Sequence, residues 1–247
     1  MKRIFDFSLA LIGLISTSFI LLPVIFLIWI QDWHSPFYIA PRVGKGQKVF
    51  KMLKLRSMVV NADKTGVDST SSNDKRITAV GRFIRKYKLD ELSQLWNVLI
   101  GDMSLVGPRP NVKRETDLYT LVEKRLLTVR PGITDLSSIV FSDEGDILKD
   151  QVDPDIAYNQ LIRPRKSLLG IFYIEKRNFL MDLKLVYLTI LSIISKEKAL
   201  NSLGLILKKS EGSPLLIEIA SRKNNLVPMP PPGAINIVTN RDGRVEE

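Results

Sequence analysis

The chain has 247 residues, no cysteine and a single histidine, His34. That excludes disulfides, thiolate metal sites, a cysteine nucleophile, a histidine-rich zinc site and a Ser-His-Asp triad elsewhere in the chain. The length suits one domain with appendages. The net charge of +10 is concentrated: Arg42–Lys88 holds thirteen Lys and Arg against Asp63, Asp68 and Asp74, while the remainder balances.

Phe7–Gln31 carries no charged residue. As a helix, Phe7–Ile30 is about 36 Å long against a hydrocarbon core of about 30 Å. Lys2 and Arg3 precede it, and Arg42, Lys45, Lys48 and Lys51 follow it. By the positive-inside rule both flanks belong on the cytoplasmic side. Pro23 removes the hydrogen bond to the Phe19 carbonyl and kinks the helix. A helix-break-helix that enters and leaves on one face satisfies both flanks; the alternative is an ordinary signal anchor. The basic stretch behind it suits nucleic acid, anionic lipid or a nucleotide diphosphate. Its place directly after a membrane segment favours lipid, and nucleic acid is not expected as a partner.

Phe37–Met58 reads as two short strands about a turn at Gly44 and Gly46. Lys54 and Arg56 lie on the second run, as phosphate holders or as solvated strand-edge cations. Asn61–Lys75 is polar, with Ser69, Thr70, Ser71 and Ser72 in a row, and reads as a flexible loop. In Tyr87–Pro110, Leu89, Leu92, Leu95, Trp96 and Leu99 mark one face of a helix, with Gly101 as its stop. Asp90 and Glu91 fall in its first turn, where they serve phosphate chemistry or only the helix dipole. Pro108 and Pro110 clamp Arg109. A rigidly presented guanidinium grips phosphate bidentately. Arg85, five residues before Asp90, is a second phosphate candidate.

Leu118–Val129 has a short helical pattern. Asp143, Glu144 and Asp146 make the following stretch acidic, and it reads as a solvated loop. Asp153-Pro154 predicts a helix start with proline at the first position. Phe179–Ile194 predicts a helix with Leu180, Leu183, Tyr187, Ile190, Leu191 and Ile194 on one face, to lie in a membrane interface or, more usually, on the core. Pro228–Pro232 breaks regular structure, and Ala234–Thr239 suits one strand.

The run LDEL-x-QL-x-NVL-x-GDMS-x-VGPRP over Leu89–Pro110 resembles the signature of the bacterial sugar transferases, the monotopic phosphoglycosyl transferases. Weaker similarity extends from Lys2 to Lys198. The resemblance implies an α+β fold: a compact, mostly helical catalytic domain with a few short strands over 34–198, a re-entrant membrane helix over 1–33 and an extension over 199–247. It implies transfer of a sugar phosphate from a UDP-sugar to polyprenyl phosphate on the cytoplasmic face of a bacterial inner membrane. Asp90 would form an aspartyl phosphosugar as UMP leaves, and Glu91 would hold Mg2+. Arg109, between Pro108 and Pro110, would bind the nucleotide end, with Arg85, Lys54, Arg56 and Asp182 as further substrate contacts. Partners would be the UDP-sugar, polyprenyl phosphate and membrane lipids, with a homo-oligomer left open. Three positions depart from the family pattern: Ser93 and Asp135 replace the usual proline and glycine, and Leu22 the serine before Pro23. The rival reading is a non-catalytic, membrane-anchored basic domain.

Overall fold

The computed structural model describes residues 1–62, 70 and 73–241. Most of the polar run expected as a loop over Asn61–Lys75 lies outside them. The fold is α+β and mostly helical, with two small two-stranded sheets.

Helix α1, Lys2–Asp32, is the one described helix long and apolar enough to cross a membrane. It is unbroken, with Pro23 inside it, where a break was expected. Asp6, Ala10, Leu21, Val24 and Ile28 recur at helical spacing on its inward face. Ala10 joins the main core, while Leu21, Val24 and Ile28 pack with Leu55, Ile84 and Leu89 in a smaller cluster. Packing on both sides of Pro23 keeps the two halves in line.

Both ends of α1 are pinned to the same domain. Lys2 Nζ lies 2.5 Å from Asp182 and donates to the Val106 carbonyl, and Arg3 donates to the carbonyls of Val98 and Leu99. Buried Asp6 accepts from Ser104 Oγ and the Leu105 amide. At the far end Asp32 pairs with Arg56 at 2.5 Å.

Strands β1 (Phe37–Val43) and β2 (Val49–Leu55) form the expected antiparallel hairpin, with Val43 opposite Val49. Helix α2 (Ala79–Lys86) follows. The single helix expected after it is two: α3 (Leu89–Leu92) and α4 (Leu95–Ile100). Ser93 Oγ donates to the carbonyls of Asp90 and Leu53, and Gln94 N and Trp96 N bond three residues back, so the chain tightens between them. Leu89 and Leu95 are buried, but Trp96 turns outward, 51% exposed. Gly101 ends α4 as expected, at φ 96°.

Strand β3 (Ser104–Val106) pairs in parallel with β4 (Gly132–Thr134). Gly107 and Gly132 touch where the two strands leave the pair; a Cβ on Gly132 would stand 2.1 Å from the Gly107 nitrogen. Between the strands come α5 (Lys113–Asp117) and a 3-10 turn, Glu123–Thr128. Helices α6 (Leu136–Val140) and α7 (Glu144–Ile147) follow, with Asp135 and Ser138 capping α6 reciprocally. The acidic stretch is therefore no solvated loop. Asp143 pairs with Lys196 and Arg222, and Glu144 with Lys166.

Helix α8 (Pro154–Ala157) starts at Asp153 as expected and runs through a π-helical turn, Tyr158–Ile162, into α9 (Arg163–Lys176). Arg163, 2% exposed, pairs with buried Glu123 at 2.6 Å and donates to Asn159 and the Leu118 carbonyl. Helix α10 (Phe179–Ile194) has the expected bounds, and its expected apolar face is turned outward, away from the core that is the usual place for such a face. Met181, Asp182, Leu185 and Leu188 point inward, while Leu180, Leu183, Tyr187, Ile190 and Ile194 are exposed.

Helices α11 (Lys196–Lys209) and α12 (Pro214–Ser221) place Leu200, Leu203, Leu207, Leu216 and Ile219 in the main core. The remaining tail returns across the domain. Met229 N donates to the Gln160 carbonyl, Gln160 Nε2 to the Val238 carbonyl, and Arg241 to Asp153. Ala234–Thr239 forms no strand; side chains rather than a sheet edge hold it.

Candidate active site

Three pieces of chain bring charge together. The first is α3. Lys88, in left-handed backbone at φ 53°, turns the chain sharply out of α2 and delivers Asp90 and Glu91 in the first turn of α3. The second is β2, which carries Lys54. Asn97 fixes α4 on that strand by accepting from Leu53 N at 2.8 Å and donating to the Lys51 carbonyl at 2.7 Å. The third is the turn after β3. Its Arg109 donates to Glu91 Oε1 at 3.0 Å and to the Ile133 carbonyl at 2.7 Å. Pro108 accepts from Gly132 N, and Pro108 and Pro110 line a shallow groove with Val43, Gly44, Tyr119 and Pro131.

The electrostatics separate the two adjacent carboxylates. Burial pushes the Asp90 carboxyl above its ordinary value, and Lys54, Arg85 and Arg109 only partly oppose it. Burial acts on Glu91 the same way, but Arg109, Lys88 and Lys54 outweigh it and hold Glu91 below its ordinary value. Burial lowers Lys54 to about 8 against the attraction of Asp90. Burial also lowers Arg85, whose Nε donates to Ser57 Oγ at 3.0 Å, with Asp90 and Asp74 opposing. Asp90, Glu91, Lys54, Arg85 and Arg109 thus share one field: two carboxylates facing three cations.

Two sequence candidates lie elsewhere. Arg56 is spent on Asp32 and the Ser35 carbonyl. Asp182 is buried between Lys2 and the Tyr173 hydroxyl, at 2.5 and 2.6 Å. Both seat α1. Conversely, Asn97 and Ser57 support the cluster and were not singled out in the sequence. Asn97 lies inside the signature run, but nothing in its spacing distinguishes a support from a core residue.

Among the described residues no cluster of three Asp, Glu or His side chains could enclose a metal ion. A hard divalent cation such as Mg2+ takes one or two protein carboxylates and completes its shell with water and phosphate oxygens. Ionised Glu91 beside Asp90, both only partly buried, fits that demand.

The profile of the family described as bacterial sugar transferase matches residues 1–196. An exopolysaccharide production protein of Sinorhizobium fredii is 34% identical over 204 residues, covering 76% of this chain and 83% of the relative. An undecaprenyl-phosphate galactose phosphotransferase of Salmonella typhimurium is 41% identical over 154 residues, covering 55% of this chain and 32% of the relative. A UDP-N-acetylgalactosamine-undecaprenyl-phosphate N-acetylgalactosaminephosphotransferase of Aeromonas hydrophila is 31% identical over 199 residues, covering 78% of this chain and 44% of the relative.

Proposed function

Because this chain belongs to the bacterial sugar transferase family, we propose that it is a phosphoglycosyl transferase that moves a sugar phosphate from a UDP-sugar to a membrane polyprenyl phosphate. The observation that carries the reading is the cluster of Asp90 and Glu91 against Lys54, Arg85 and Arg109. The names of the Salmonella and Aeromonas relatives agree with it.

The chemistry proceeds in two displacements. An Asp90 oxygen attacks the β-phosphorus of the donor; the bond to the bridging oxygen breaks, and UMP leaves with that electron pair. An oxygen of polyprenyl phosphate then attacks the same phosphorus and releases Asp90. Lys54, Arg85 and Arg109 bind the diphosphate and offset the charge that builds on its oxygens. Glu91 would hold Mg2+, which when bound supplies further neutralisation of the diphosphate.

The lipid acceptor needs the site at headgroup depth. Helix α1 is laid along the domain and pinned to it at both ends, which supports a helix lying in the membrane interface with both ends on one side. A helix of 31 residues standing straight out would carry one end about 45 Å from the domain. The outward apolar faces of α1 and α10 support a position in the membrane interface. Their edges meet at Phe5 and Phe179, with ring centres 5.1 Å apart. The basic flanks favour the cytoplasmic face of the inner membrane.

The test is the purified protein with a panel of UDP-sugars, with and without polyprenyl phosphate. UMP release and a phosphosugar adduct on Asp90, trapped with donor alone and lost in Asp90→Asn, are expected. UMP release that strictly needs the lipid phosphate, with no adduct, would replace the two displacements by one. No release with any UDP-sugar would sink the reading.

A further inference from the structure

Gln94 sits in the tightened turn between α3 and α4, three residues beyond Glu91 and four beyond Asp90. Its side chain is fully buried, yet neither its amide nitrogen nor its amide oxygen meets a partner. Buried amides without partners are rare, and one next to reactive groups marks a bond made in another state of the molecule. The neighbours narrow down which bond. Ser93 and Asn97 are committed to β2. Glu91 is held by Arg109. The Asp90 carboxylate, by contrast, has no hydrogen-bonded side-chain partner among the described residues; only its backbone carbonyl is engaged, by Ser93. Gln94 follows Asp90 by four residues across the tightened turn between α3 and α4, little more than one turn of chain. Here the donor of one and the acceptor of the other are both unused.

We propose that Gln94 is a positioning residue for the nucleophile: its amide N–H donates to one Asp90 carboxylate oxygen when substrate is bound and leaves the other oxygen free to face phosphorus. The proposal rests on the reading of Asp90 as nucleophile. A donor diphosphate draws Lys54 and Arg85 to its own oxygens, so the carboxylate loses the cations that hold it. A neutral donor one turn along then fixes its direction without cancelling its charge, as an ammonium would. The buried setting gives the amide no competing water.

Three variants and one spectrum test this. Gln94→Met keeps length and volume and removes the hydrogen bond. It is expected to lower kcat for UMP release roughly ten- to a hundredfold, with KM for the UDP-sugar within about twofold of wild type, since only reactive geometry is lost. Its Tm is expected to match or exceed wild type, because an unpartnered buried amide is gone. Gln94→Glu, which sets a second carboxylate against Asp90, should lose more than Gln94→Met. Wild-type kcat in Gln94→Met, or a raised KM at unchanged kcat, would overturn the proposal. The spectrum does not depend on turnover. With 15N-labelled glutamine the chain carries five side-chain amides, and Gln94 is the one lost in Gln94→Met. Pyrophosphate, a diphosphate without base or sugar, should move the Gln94 amide proton downfield in wild type and not in Asp90→Ala. Movement in both proteins, or in neither, would break the pairing. Absence of UMP release by wild type would instead remove the reading of function and leave the pairing to the spectrum.

Discussion

Arg109 Nη1 donates both to Glu91 Oε1, at 3.0 Å, and to the Ile133 carbonyl, at 2.7 Å. The second bond fixes the guanidinium on β4, which Gly132 lets approach the turn after β3. The first neutralises a carboxylate. In the proposed reaction a diphosphate that takes Arg109 would compete with Glu91 and free it for a cation. The exchange suits an ordered site, in which nucleotide and metal arrive together.

Arg109 should therefore act on binding more than on chemistry. Arg109→Ala is expected to raise KM for the UDP-sugar by roughly ten- to a hundredfold, the worth of charged hydrogen bonds. Arg109→Lys should recover part of this, since an ammonium keeps the charge and loses the planar fork. Unchanged donor affinity in both variants, measured by calorimetry, would reduce Arg109 to a turn residue.

Lys54 gives activity and stability opposite pH dependences. Its folded value near 8 lies below the ordinary 10.5. Between those values the unfolded chain holds a proton that the folded chain has released, so folding becomes more favourable as pH rises through the window. Donor binding should weaken across the same window as the ammonium is lost. Urea midpoints and KM measured from pH 7 to 10 should move in these opposite senses. Lys54→Arg should flatten both slopes, because a guanidinium does not deprotonate there.

Much of the hairpin, the Gly101 stop and the start at Asp153-Pro154 could be read from the chain, because each rests on residues within a few positions of one another. The facing of Trp96 and α10 could not. Apolar periodicity separates inside from outside only when the outside is water. Both sides of α10 are apolar, with Leu183 and Tyr187 outward and Leu185 and Leu188 inward, so periodicity alone does not say which side meets the core. The roles of Arg56 and Asp182 were hidden for another reason: their partners lie 24 and 180 residues away. The charged cluster was legible where it is consecutive, at Asp90 and Glu91. Its support by Asn97 appears only once β2 is in place.

The path of α1 has a direct check in this cysteine-free chain. A cysteine placed ahead of Met1 and another at exposed Lys45 should both resist an impermeant thiol reagent in intact cells and react after lysis. Labelling of only one from outside would make α1 a spanning anchor.

The buried pair of Glu123 and Arg163 should behave as a unit. Glu123→Ala leaves a guanidinium in the core and is expected to cost about 3–5 kcal/mol in urea denaturation. Glu123→Leu combined with Arg163→Met should recover most of that loss, because no charge is left stranded. A double variant as unstable as the single one would locate the cost in shape.

The contact between Lys2 and Asp182 also imposes an order on synthesis. Helix α1 is completed by an aspartate 180 residues later, which at about 5–20 residues per second is roughly 10–40 s of elongation. Arg3 and Asp6 find their partners about halfway through that interval, at Val98, Leu99, Ser104 and Leu105, whereas Lys2 waits to its end for a carboxylate. The polar end of α1 is therefore seated in two stages, first on α4 and β3 and only later on α10.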